Sequence, residues 1–115
     1  ERNGVKLAIG HQRRFLHSYT LARDLIAQGA VGEVQMIQSY GSDGLPNYCT
    51  HQTDMFRYLL GDDECEWAMG NVERKTDRWE RSTRIEDCAI AVYRFRCQAT
   101  ATILCPGAHL IRWAR

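Results

Sequence analysis

The stretch "NYCTHQTDMFRYLLGD", residues 47–62, places Asn47 and His51 four residues apart at the opening of an apolar, aromatic-rich run. If a helix begins by Asn47, this spacing sets both side chains on one face of its first turn. That turn also presents unpaired backbone N–H groups and the positive end of the helix dipole. Such a place suits a carbonyl or alkoxide oxygen. His51 can take or give a proton near neutral pH. The same residues support a plainer reading, in which Asn47 or Thr50 caps the helix and His51 is a partly exposed first-turn residue. Spacing alone leaves both open.

Neighbouring groups carry weaker signals. Asp54 and Arg57 are three apart and can pair on the helix surface, where such pairs contribute little. Cys49 has no second cysteine nearby and reads as packing. Cys49 and His51 together are too sparse for a metal site, and no metal is expected. "HQRR" (His11 to Arg14) follows an apolar run, and in open α/β sheets ligands bind beyond the carboxyl ends of strands. His11 and Arg14 can therefore face a ligand, or lie in an ordinary polar loop. His17 and His109 stand alone and receive no role. No G-x-G-x-x-G or Walker loop is present to grip a pyrophosphate.

The elements that would position these groups follow from apolar periodicity. "VKLAIG" (Val5 to Gly10) reads as a buried, parallel strand. Residues 17–28 are helical, with Tyr19, Ala22, Leu25 and Ile26 on one face and Gly29 as the C-cap. Residues 32–40 alternate as a strand, with Val34, Met36 and Tyr40 on one face. Residues 41–47 read as a loop. Met55, Phe56, Leu59 and Leu60 stripe a second helix that Gly61 ends. Residues 65–74 read as a strand, and residues 75–86, charged and without a period, as a loop. "DCAIAVYRFR" and "ATATILC" make two further strands with apolar residues on both faces. A sheet covered by helices on one side and by something else on the other accounts for that. The order predicts an α+β domain with an open, mostly antiparallel sheet and helices on one face.

The totals set bounds. The chain has 115 residues, is 44% hydrophobic and carries a formal net charge of +1, which describes one globular domain or a piece of one. The charge balance argues against broad binding to nucleic acid or to an anionic membrane. No run is long enough to span a membrane. Five cysteines without a C-x-x-C spacing fit free thiols in a reducing cytosol better than a disulfide framework.

The order of motifs resembles the Gfo/Idh/MocA oxidoreductases, the group of glucose–fructose oxidoreductase and inositol 2-dehydrogenase. "GVKLAIGHQRRF" is similar to the last strand of that family's dinucleotide-binding domain and the arginine-containing turn after it. "LIAQGAVGEV" is similar to the passage opening its second domain. "NYCTHQTDMFRYLLGD" resembles its D-x-x-x-H-x-x-D helix, and "EDCAIAVYRF…ATATI" its paired strands. Together these span residues 4–104.

The resemblance implies a fragment: residues 1–14 end a Rossmann domain, and residues 15–115 form a C-terminal substrate and oligomerisation domain. It implies hydride transfer between NAD or NADP, bound mainly upstream of Glu1, and a sugar, polyol or related compound. His51 matches the family's catalytic histidine, Asn47 the substrate-contacting position, and Asp54 a more structural acidic position. His11 and Arg14 match the turn near the nicotinamide. A cytoplasmic homo-oligomer, joined through the sheet and without nucleic-acid or membrane partners, is the implied assembly. Two departures stand out. Asn47 replaces the family's first Asp; an amide cannot take a proton as a carboxylate can, though it still hydrogen-bonds a hydroxyl. "RCQA" replaces the usual Asn-Gly turn between the paired strands, against a tight I′ turn. The first departure keeps a non-catalytic sugar-binding or scaffold protein of the same fold as the alternative.

Overall fold

A computed structural model describes residues 3–41 and 44–106. A 3-10 turn, Gln12–Phe15, leads into helix α1, His17–Ala27. Gly29, at φ 78°, lets the chain reverse after α1, as the sequence predicts. Strand β1 is Met36–Tyr40. A π-helical turn, Leu45–Cys49, then runs into helix α2, Thr50–Leu59, which Gly61 closes at φ 72°. Strand β2 is Cys65–Glu73. A small hairpin follows, β3 Arg78–Glu80 and β4 Thr83–Ile85, and then β5 Cys88–Phe95 and β6 Thr100–Pro106.

The main sheet has four strands in the order β1-β6-β5-β2. β5 pairs antiparallel with both β6 and β2, and β1 lies parallel to β6. The architecture is α+β with a mostly antiparallel sheet, as expected. β6 alternates strictly, with Ala101, Ile103 and Cys105 buried. These pack with Ala89 and Phe95 of β5 and with Cys49 and Phe56 from the helical side to form the core. Phe56 is 2% exposed, and Met55 and Tyr58 are also buried, so α2 is anchored by its apolar stripe. Small residues on β5 and β6 let the helix lie close. Gly70 has a similar origin: a Cβ there would sit 2.6 Å from the backbone oxygen of Ile90, so β2 and β5 approach only because that position is glycine.

The sheet face away from the helices is uncovered. Met36, Tyr40, Met69 and Ile90 share it by register and are exposed. That accounts for apolar residues on both faces of the strands.

Two expectations are corrected. Residues 5–10 form no strand: Val5, Leu7 and Ile9 are 73%, 88% and 76% exposed, because none of the described residues offers them a strand to pair with. Residues 75–86 are not simply a loop but hold the β3–β4 hairpin. Its turn residues Arg81 and Ser82 adopt φ 46° and 63°, conformations for which their residue types give no signal. Asp87 fastens the approach to this hairpin, accepting the backbone N–H groups of Lys75 and Thr76 at 2.6 and 2.7 Å. The β5–β6 turn agrees with the expectation from "RCQA" and is no two-residue I′ turn: Gln98 N–H donates to Phe95 O at 3.0 Å and Gln98 sits at φ 71°, a three-residue loop with a bulge.

Candidate functional site

The start of α2 is built from an unusual turn. The carbonyl of Gly44 collects the N–H groups of Asn47, Tyr48 and Cys49 at 3.2, 3.1 and 3.5 Å. Glu86, 3% exposed, accepts the N–H of Leu45 and ties this turn to the strands. The π turn alters the expected geometry. Asn47 precedes the α-helix, which begins at Thr50, so the α-helical spacing that would put Asn47 and His51 on one face does not hold. The plain capping reading fails as well, since neither helix start has a side-chain cap; Thr50 Oγ1 instead donates back to Asn47 O at 2.7 Å.

Four of the five singled-out residues come together. Arg14 grips Asp54 at two points, Nε to Oδ2 at 2.8 Å and an Nη to Oδ1 at 2.7 Å. Its other Nη reaches Asp62 at 2.8 Å. His11 Nδ1 lies 3.2 Å from Asp54 Oδ1. The His11 ring meets the His51 ring edge-on, with centroids 5.5 Å apart. The predicted Asp54–Arg57 surface pair is absent: Asp54 turns to Arg14, and Arg57 donates to the carbonyls of Asp62 and Asp63. Asn47 stands apart from this cluster, its Nδ2 donating to the Glu80 carboxylate on β3.

The electrostatics follow from burial and charge. Burial alone would raise the Asp54 carboxyl, but the Arg14 fork, with His11 and Arg57, outweighs it and holds Asp54 below the ordinary carboxylate range. His51 is pushed below the usual imidazole value by burial and then by the nearby positive Arg13 and by His11; Asp54 only partly offsets this. That direction favours the uncharged imidazole. Its Nδ1 is buried and has no hydrogen-bond partner among the described residues. A neutral imidazole with an uncommitted nitrogen is able to exchange a proton. A cleft of about 430 Å³ opens beside the cluster, lined by His11, Thr50, Thr53, Asp54, Arg57 and Tyr93 among others. A larger groove of about 610 Å³ lies between α1 and the end of α2 and contains none of the singled-out residues.

Neither a family model nor a curated protein sequence matches the chain. Solved structures do. The chain aligns over 94% of its length with the WlbA dehydrogenase from Bordetella pertussis, whose crystal structure holds NADH and UDP-GlcNAcA, at TM-score 0.70 and 20% identity. It aligns over 94% with an oxidoreductase domain protein from Kribbella flavida at TM-score 0.69 and 18% identity. A super-repressor mutant of Gal80p from Saccharomyces cerevisiae aligns over 92% at TM-score 0.73 and 16% identity. The chain has the C-terminal-domain fold of the Gfo/Idh/MocA-type oxidoreductases. It spans 36–38% of the length of these three proteins.

Within the Gfo/Idh/MocA-type fold, three functional-looking side chains had no functional signal in the sequence. Glu80 and Glu86 lie in or beside a charged stretch without a period, and only the hairpin brings them to the π turn. Tyr93 was visible merely as a strand residue, yet it lines the cleft, and its hydroxyl lies 3.3 Å from Thr53 Oγ1. Among the described residues no group of His, Cys, Asp and Glu is arranged to hold a metal ion, and no helix is long and apolar enough to cross a membrane.

Proposed function

We propose that this chain is the substrate-binding part of a nicotinamide-dependent oxidoreductase acting on a sugar, polyol or related hydroxylated compound. The observation that carries the proposal is His51, whose buried Nδ1 has no hydrogen-bond partner among the described residues and whose ring lies edge-on to His11, a residue that lines the cleft. In this reading His51 exchanges a proton with the substrate hydroxyl, the step general acid–base catalysis requires. Asn47 hydrogen-bonds the substrate. Asp54 holds His11 and Arg14 in place, and those two lie toward the cofactor.

When bound, NAD or NADP supplies the hydride acceptor or donor. In this reading its main contacts belong to a dinucleotide-binding domain that residues 1–14 would complete. The apolar, unpaired residues 5–10 fit that role, since Val5, Leu7 and Ile9 alternate as a strand does and need a sheet to join. The fold likeness to dehydrogenases, one holding NADH and a nucleotide sugar, supports this reading. The uncovered sheet face supports a homo-oligomer joined through it.

A second reading is a non-catalytic sugar-binding or scaffold protein. Asn47 favours it, because an amide cannot serve as a base, and so does the likeness to Gal80p, which is described by repression rather than by a reaction. The two separate on one assay. The complete protein carrying this chain, given NAD or NADP and a panel of polyols and nucleotide sugars, reduces the nicotinamide in the first reading. In the second it binds a sugar and leaves both nicotinamides unchanged.

A further inference from the structure

Asn47 does not meet the cleft cluster, but it is not idle. Its Nδ2 donates to Oε1 of Glu80, thirty-three residues away on the small hairpin. A carboxylate only accepts, so the amide nitrogen is the atom that must face Glu80. The amide oxygen is therefore turned to the opposite side, as a hydrogen-bond acceptor. Glu80's other oxygen is buried and has no donor among the described residues, so in hydrogen bonding its side chain serves Asn47 alone.

The hairpin is fitted to this purpose. Arg81 and Ser82 turn it within two residues, so Glu80 ends β3 facing back to the helix start. Ile85 of β4 is buried against Gly44, whose missing Cβ would meet it at 3.0 Å, and Gly44's carbonyl is the acceptor that shapes the π turn around Asn47. The hairpin and the turn thus lock together through one apolar and one polar contact.

We propose that Glu80 is a positioning residue that fixes Asn47 as an acceptor for a substrate hydroxyl. This rests on the reading of Asn47 as a substrate contact. The negative charge sits one residue behind the contact, and the contact itself is a neutral oxygen. Replacing Asn47 by Asp would set two carboxylates face to face. Replacing Glu80 by Gln would remove the constraint, since an amide both donates and accepts and lets Asn47 take either orientation. Making both changes restores a single donor–acceptor pair with its polarity reversed, and again leaves an oxygen for the substrate.

The test has two arms. Without ligand, the side-chain amide signals of Asn47 in a nitrogen-15 spectrum should move on Glu80→Gln, while those of Asn71 stay in place. With ligand, the complete protein is assayed with NAD and myo-inositol. Losing a hydrogen bond involving a charged group is worth about tenfold or more in affinity, so Asn47→Asp should raise KM by about that factor. Glu80→Gln should raise KM by about threefold to tenfold on the same principle, with kcat within about twofold. The double variant should return KM to within about threefold of the parent. Asn47 amide signals that ignore Glu80→Gln, or equal KM values in all four proteins, overturn the proposal. A parent protein inert toward every polyol and nucleotide sugar removes the functional reading instead, and the amide signals then decide the pair alone.

Discussion

Arg14 closes a two-point fork on Asp54, forty residues away, and so joins the turn before α1 to the middle of α2. The fork orients the His11 side of the cluster, because the same Asp54 oxygen that receives Arg14 lies against His11. Both side chains are largely shielded from water, so the pair is worth more than a surface ion pair. Substituting Arg14 by Met leaves Asp54 without its main partner. The expected loss is about 1–3 kcal/mol of stability, read from the urea midpoint. An unchanged midpoint would show the fork to be ornamental.

Acid should dissolve this link in a defined window. Asp54's folded pKa lies below its ordinary value of 3.8. The unfolded chain therefore binds the proton more readily, and the group's contribution is present above the ordinary carboxylate range. It is lost as pH falls below about 4, through the folded value. Comparing the parent with Asp54→Asn by urea unfolding checks this: the stability gap should narrow as pH drops from 5 toward about 2.

His51 behaves in the opposite charge sense. Burial, Arg13 and His11 lower its folded pKa below 6.5. The unfolded state takes up the proton first, so stability declines as pH falls below that value through the folded one. Proton NMR of the imidazole should give a midpoint below 6.5, and Arg13→Gln should move it upward. A midpoint at or above 6.5 would mean that the ring is solvated or paired with an anion.

Much of this architecture was legible in the sequence where a period runs long enough to identify a buried face. The stripe Met55, Phe56, Leu59 and Leu60 located α2, and the alternation of Ala101, Ile103 and Cys105 located β6. Gly29 and Gly61 marked helix ends because positive φ is cheap only for glycine. The hairpin was hidden because Arg81 and Ser82 turn it without Asn or Gly, held by packing of Ile85 and Trp79-to-Arg84 pairing. The π turn was hidden because three N–H groups converging on one carbonyl leave no mark on hydrophobic spacing. Among the site residues, the helix showed His51 and Asp54, and the turn showed His11 and Arg14. Their convergence, and the diversion of Asn47 to Glu80, depend on contacts tens of residues apart, which periodicity does not carry.

Gly70 offers a test of the sheet itself. A methyl group there meets the Ile90 carbonyl at 2.6 Å, too close for any rotamer to relieve. Gly70→Ala should cost about 1–3 kcal/mol by forcing β2 from β5. Amide exchange should quicken in β2 and β5 and remain slow in β1. Equal protection in the variant would mean that the strands have slack at this point.

The uncovered sheet face makes a separate prediction. Met69 and Ile90 lie exposed on neighbouring strands, away from the helices. Changing both to Lys should shift the complete protein toward monomer in analytical ultracentrifugation while leaving the helix signal in circular dichroism unchanged. Retention of the parent's assembly would place the interface elsewhere.

The most direct test of the central claim is the effect of His51→Ala on turnover and binding in the complete protein. Polyol binding, measured by calorimetry, should stay within about threefold of the parent, because the imidazole's part is the proton rather than affinity. Turnover with the nicotinamide should fall by about a hundredfold to ten-thousandfold, the range for loss of a general acid–base group. Turnover that survives the substitution would contradict the assignment of His51, and with it the reading of the α2 start as the working edge of the site.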